Sequence, residues 1–129
     1  MDGAKTPPPE VLSETDLLVF KQGNERRILS VGRIALITGD RDYTRVIAVD
    51  GRQYLDTRRM LDWQRLLPAK HFQLLDRSTI INLGEVAGYR QTESGGVVTL
   101  RNAETPVTVG RAAFKRLDEC LESRSGTPW

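Results

Sequence analysis

Strand-length apolar runs recur along the chain, each closed by a polar or glycine-containing break. Leu17–Phe20, Arg26–Val31, Ile34–Thr38 and Tyr43–Val49 are the first four. Runs this short, rich in β-branched residues, predict strands rather than helices. Gln22-Gly23-Asn24 supplies a turn, Gly32 interrupts the second strand, and Gly39-Asp40-Arg41-Asp42 reads as a charged loop. Asp50-Gly51 stands between Tyr43–Val49 and Arg52–Leu55. That dipeptide between two such runs predicts a hairpin, because glycine takes a positive φ at little cost.

The period then changes. Met60, Leu61, Trp63, Leu66 and Leu67 fall largely on one helical face, with Asp56 or Thr57 as the cap and Pro68 as the stop. Phe72–Leu83 follows as two apolar runs around the polar knot Asp76-Arg77-Ser78-Thr79, which predicts a turn held by two buried strands. Val86–Thr92 and Val97–Leu100 form a further hairpin around Ser94-Gly95-Gly96. After a turn at Arg101–Glu104 comes a last strand, Pro106–Val109, whose proline favours a sheet edge. A helix from Arg111 to about Ser123 closes the chain, with Phe114, Leu117, Cys120 and Leu121 as its apolar stripe. The fold class expected is mainly β, a β-rich α+β domain over residues 17–123 with two short helices. Residues 1–16, with their Thr6-Pro7-Pro8-Pro9, and residues 124–129 read as disordered ends.

Composition narrows the chemistry. The net charge is +2, but residues 1–16 carry four acids against one lysine, which leaves 18 basic and 13 acidic residues in the remainder. A basic bias with 15 arginines to 4 lysines suits phosphate and guanine, and a GC-rich coding sequence gives the same bias. One cysteine, Cys120, allows neither a disulfide framework nor a thiolate zinc site. One histidine, His71, removes most metal and triad chemistries, and neither a Ser-His pairing nor a glycine-rich phosphate loop is present. No catalytic, metal or cofactor site is expected. No apolar run nears membrane-spanning length, so a cytoplasmic protein is expected.

Arginines at turns and helix starts are the candidate chemistry. Arg77, on a turn fixed by buried runs, suits a phosphate or a base edge, or else pairs with Asp76 or Glu85. Ser78 and Thr79 can bond phosphate or cap their own turn. Arg111 opens a helix against the dipole preference, which invites a functional reason. Arg41 and Arg45 flank Asp42-Tyr43-Thr44 and reach out together, unless Asp40 and Asp42 neutralise them. Arg58 and Arg59 read as a solvated helix start, and Trp63 and Cys120 as core.

In order and spacing, GDRDYTRVIAVDG, FQLLDRSTIINL and TPVTVGRAAFKRL together resemble the LytTR DNA-binding domain family. The resemblance spans roughly residues 17–122. It implies an elongated arrangement of small antiparallel sheets and a transcriptional regulator that binds double-stranded DNA at promoter repeats through loops. Mapped onto this sequence, the contacts fall on Tyr43, Thr44 and Arg45, on Asp76, Arg77 and Ser78, and on Arg111, with Arg41 beside the first group. Asn82 matches a family asparagine of structural role. Asp76 stands where the family pattern has histidine, and a carboxylate there can only accept, for example from cytosine N4. The resemblance also allows self-association on direct repeats and an upstream sensor or receiver. Residues 1–16 are too short for a receiver, so the chain is either a standalone regulator or a domain of a longer one.

Two other readings are weaker. PilZ-type cyclic-dinucleotide sensors pair R-x-x-x-R with a later [DN]-x-S-x-x-G. Arg41 to Arg45 and Asp76-Arg77-Ser78 fit in part, but the glycine position is Ile81. A protein-interaction module using a sheet edge is the third reading.

Overall fold

A computed structural model describes residues 11–103 and 105–124. The apolar runs form ten strands and two α-helices among them. Strands β1 (Leu17–Gln22) and β2 (Glu25–Ser30) make a hairpin. The central sheet takes β3 (Ile34–Asp40), β4 (Tyr43–Ala48), β5 (Gln53–Asp56), β6 (Phe72–Asp76) and β7 (Thr79–Asn82) in the order β5-β4-β3-β7-β6. A third sheet pairs β8 (Val86–Thr92), β9 (Gly95–Leu100) and β10 (Val107–Gly110), with β9 in the middle. Helix α1 (Met60–Leu66) links β5 to β6, and α2 (Arg111–Arg124) ends the described chain. Every pairing is antiparallel. The strand-rich architecture of small antiparallel sheets with two helices is the one expected from the sequence.

The central sheet is covered on both faces. Consecutive residues of a strand point to opposite sides, so Ile37 and Ile80 enter one core while their neighbours Leu36 and Ile81 enter another. The first core lies under the β1–β2 hairpin and α1, and gathers Phe20, Tyr54 and Trp63. Phe20 stacks on Tyr54 with ring centroids 5.0 Å apart. The second core lies under the third sheet and α2, with Leu75, Val98 and Leu117 fully buried. Each large apolar side chain so buried contributes about 1.5–3 kcal/mol. Asn82 is 5 % exposed and joins the layers by donating to the Ile34 carbonyl at 2.7 Å and accepting from Gly84 N–H at 3.0 Å. Its structural role is the one expected.

Several boundaries differ from expectation, each for a physical reason. Gly39 and Asp40 continue β3 rather than joining a loop, and the turn is Arg41-Asp42 alone. The helix cap is neither Asp56 nor Thr57. The Asp56 carboxylate is taken by Arg58, through its N–H at 2.8 Å and its guanidinium at 2.7 Å, so α1 starts later, after Arg59. Gly95 and Gly96 lie in β9 and the turn is Glu93-Ser94, because a Cβ on Gly96 would fall 2.1 Å from the Phe114 ring. The ordered part begins before residue 17. Leu12 N–H bonds the Leu66 carbonyl at 2.8 Å, Leu12 packs on the first core, and Glu14 pairs with His71 at 3.0 Å. Arg124, expected in a disordered end, continues α2, while residues 1–10 and 125–129 lie outside the described residues, as does Glu104 in the Arg101–Glu104 turn.

The hydrogen bonds also fix which ends meet. Gly39 N–H donates to the Ser78 carbonyl at 2.9 Å, which ties the β3–β4 turn to the β6–β7 turn. Along α2, Arg116 bonds the Leu75 carbonyl, Cys120 the Gln73 side chain, and Arg124 the Lys70 and Ala69 carbonyls. As α2 advances, its partners step backwards along β6. The helix therefore runs antiparallel to β6 and begins beside the β6–β7 turn. At the other end, Val31 N–H bonds the Asp16 carbonyl at 2.9 Å and Arg101 N–H bonds the Glu85 carbonyl at 2.8 Å. Those bonds hold the open ends of the first and third sheets. The turns of the β1–β2, β3–β4, β6–β7 and β8–β9 hairpins consequently share one end of the molecule with the start of both helices.

Candidate nucleic-acid interface

At that end, the backbone of each turn sets what its side chains can reach. Arg77 and Ser78 are the two central residues between β6 and β7, and both are exposed. Asp76 Oδ1 accepts from Ser78 N–H at 2.9 Å and from Ser78 Oγ at 3.2 Å. This is an Asx turn, in which the carboxylate satisfies its own loop. The arrangement changes what Asp76 offers: one oxygen is spent shaping the turn that presents Arg77. Neither sequence-suggested salt bridge of Arg77, to Asp76 or to Glu85, forms, and Arg77 makes no ion pair among the described residues.

The β3–β4 turn lies alongside. Neighbouring strands are about 4.8 Å apart, and two spacings separate the two turns, so they stand about 10 Å apart. Arg41 has φ 48°, the only positive φ at a described non-glycine residue. Tyr43 is partly exposed at 37 %. Arg45 is half-buried and held by Gln53 Oε1 at 3.0 Å and, more loosely, by Asp40 at 3.9 Å. Of the two arginines, Arg41 is therefore the freer. Arg41, Tyr43, Arg77 and Ser78 line one shallow concavity with Arg59 and Met60. Arg59, which in the sequence reads as a solvated helix start, is thus part of the concavity, and its place at a helix start is the same oddity that marks Arg111.

Thr44 lies at the floor of that concavity but is 1 % exposed, so it offers a ligand little surface. Its hydroxyl accepts from Trp63 Nε1–H at 2.8 Å and donates to the Arg58 carbonyl at 2.9 Å. Arg58 in turn stacks over the Trp63 ring at 5.0 Å. Thr44, Trp63 and Arg58 thus lock the start of β4 to the start of α1, beneath the concavity.

Arg111 lies on the other face of the central sheet at the same end. Its guanidinium donates to the Glu93 carbonyl from Nη2 at 2.9 Å and from Nε at 3.3 Å. The side chain is exposed and anchored to the β8–β9 turn, with Lys115 one helical turn further on. Farther along α2, Tyr89 donates to Asp118 at 3.0 Å. Burial first, and the Asp118 carboxylate second, push the Tyr89 phenol above its ordinary 10.0.

The structure therefore brings Arg41, Tyr43, Arg45, Asp76, Arg77, Ser78 and Arg111 to one end and turns Thr44 inward. Arginines on two turns whose backbones stand about 10 Å apart present donors of the kind that phosphates and base edges accept. Where a PilZ-like pattern needs glycine, Ile81 is wholly buried in β7.

Comparison with known proteins agrees with this fold. The model of the LytTr DNA-binding domain family matches residues 24–122. Among solved structures, a similar fold is the LytTr DNA-binding domain of a Bacillus cereus protein described as a methyl-accepting/DNA response regulator. It has a TM-score of 0.71 and 18 % identity over 81 % of this chain and 95 % of that one. No curated protein matches the chain.

Proposed function

Since the chain belongs to the LytTr DNA-binding domain family, we propose that it is a sequence-specific transcriptional regulator that reads double-stranded DNA through loops. Arg77 and Arg111 read base edges, Arg41 and Tyr43 contact the adjoining backbone, and Arg45 braces the β3–β4 hairpin. Asp76 and Ser78 hold Arg77 in place. The protein works in the cytoplasm, without a cofactor and without catalysis, on promoter repeats that seat more than one copy. A sensor or receiver supplies its signal, a role the Bacillus cereus relative's description as a response regulator favours.

The observation that carries this reading is the gathering of the Arg41, Arg77 and Arg111 segments at one end, from three separate parts of the sequence. The test is selection of bound sequences from random duplexes at moderate salt, followed by affinity measurements on the selected site. An enriched direct repeat is expected. Arg77→Ala is expected to lose about 1–3 kcal/mol of discrimination between the selected and a scrambled site. Equal loss on both duplexes would assign Arg77 to phosphate rather than to a base, and absence of any enrichment would remove the sequence-specific reading.

A further inference from the structure

We infer that the tip of the β1–β2 hairpin is an additional DNA contact, in which Lys21 and Arg26 grip backbone phosphate on one flank of the site. The inference rests on the DNA-binding reading above. It concerns residues which that reading does not use, and Lys21 lies outside the family match at residues 24–122.

The topology places the tip. β1 starts at the end held by Asp16 and Val31 and runs to Gln22, so the Gly23-Asn24 turn emerges at the same end as the Arg41 and Arg77 turns. Val19 and Lys21 line a groove with Leu55 to Arg58, the segment that leads into α1 at that end. The hairpin covers one face of the central sheet, while α2 covers the other. Stacked layers lie about 10 Å apart, so the tip stands about 10 Å to one side of the Arg41–Arg77 concavity and Arg111 about as far to the other side. A duplex laid across the central turns passes within reach of both flanks.

The chemistry of the tip suits phosphate. Lys21 and Arg26 are directly opposite across the hairpin and on its outward side. Lys21 is exposed and has no ion pair among the described residues. Arg26 is tethered by one nitrogen to the Gly23 and Glu25 carbonyls at 3.3 and 3.1 Å, which steadies the guanidinium without neutralising it. Of the nearby carboxylates among the described residues, Glu25 is engaged by Arg27 at 3.1 Å, and Asp56, which lines the same groove as Lys21, by Arg58 at 2.7 Å. Phosphate contacts of this kind position a protein on the duplex without reading sequence.

The experiment compares Lys21→Ala/Arg26→Ala with Arg33→Ala/Arg52→Ala, which removes the same charge at the opposite end, on the selected duplex across a range of salt. The tip variant is expected to bind about tenfold more weakly, with a salt slope shallower by about 0.9 per lost phosphate contact. It should keep the wild-type preference between selected and scrambled sites. The opposite-end variant is expected to match the wild type, since it lies beyond the ~10 Å screening length. Ethylation of individual phosphates on one flank should weaken the wild type and leave the tip variant unchanged. Wild-type affinity and slope in the tip variant would overturn the inference, and so would equal losses in both variants. A wild-type protein that binds no duplex would instead overturn the DNA-binding reading, and this inference with it.

Discussion

Arg41 occupies a backbone conformation, φ 48°, that glycine or asparagine tolerates far better. Left-handed backbone costs an ordinary residue about 1 kcal/mol. Strain of this sort concentrates where a side chain is needed. Arg41→Gly is therefore expected to raise the thermal midpoint while weakening DNA binding, which paired melting and binding titrations would show. Unchanged or tighter binding would separate Arg41 from the interface, and a lower midpoint would remove the strain argument. Thr44 is the opposite case. Thr44→Val keeps the shape but strands the buried Trp63 N–H, at a cost of about 1–3 kcal/mol measurable by denaturant unfolding. Tyr89 carries a pH signature. Its phenol is raised above 10.0 in the fold, chiefly by burial. The folded state thus holds the proton more tightly than the unfolded one, and its stabilising contribution is present below pH 10 and lost as pH rises beyond it. Tyr89→Phe should flatten the alkaline decline of stability in unfolding curves taken across that range. Sequence alone showed Arg77 and Arg111 as candidates because an arginine on a turn or at a helix start stands out. It could not show Thr44 facing inward, since a threonine beside a turn carries no mark of its partner nineteen residues away.

Element identity was largely legible because the period of apolar positions changes from strand to helix and back. Each misread boundary turns on a residue whose expected role was taken by another contact, distant at Gly96 and local at Asp56. Gly95-Gly96 reads as a turn, yet these glycines sit in β9 to admit Phe114 and the β10 backbone. Gly96→Ala is expected to destabilise the domain by about 1–3 kcal/mol through overpacking, and Gly96→Ala/Phe114→Leu to recover part of that loss in the same unfolding assay. Asp56 reads as a helix cap until Arg58 claims its carboxylate. Helix α2 carries Arg111, Lys115 and Arg116 in its first turns and Asp118, Glu119 and Glu122 later. That order opposes the helix dipole and costs a few tenths of a kcal/mol per charge. Within the domain, Arg111 and Arg116 offset part of that cost by donating to the Glu93 and Leu75 carbonyls.

At the scale of the whole molecule, the strand order β5-β4-β3-β7-β6 was not legible, because β3 and β7 are joined across more than thirty intervening residues, from Asp40 to Thr79. Nor was the strap formed by residues 11–16, whose apolar content is an exposed valine and a partly buried leucine and whose hold comes from backbone bonds and the Glu14–His71 pair. A chain starting at Leu17 is expected to melt several degrees lower than one starting at Val11, because it loses the burial of Leu12 and its hydrogen bonds. Its DNA affinity at low temperature should be unchanged, since the strap is at the end away from the turns. The gathering of the turns has a consequence for how such a protein diversifies. Hairpin tips bear little of the core, so reading residues can be exchanged as type is exchanged in a press, with the frame left standing. A library randomised at Arg77 and Arg111 should yield folded proteins of nearly constant melting point and widely different DNA preferences, a separation of vocabulary from grammar that a recognition helix buried on one side does not offer.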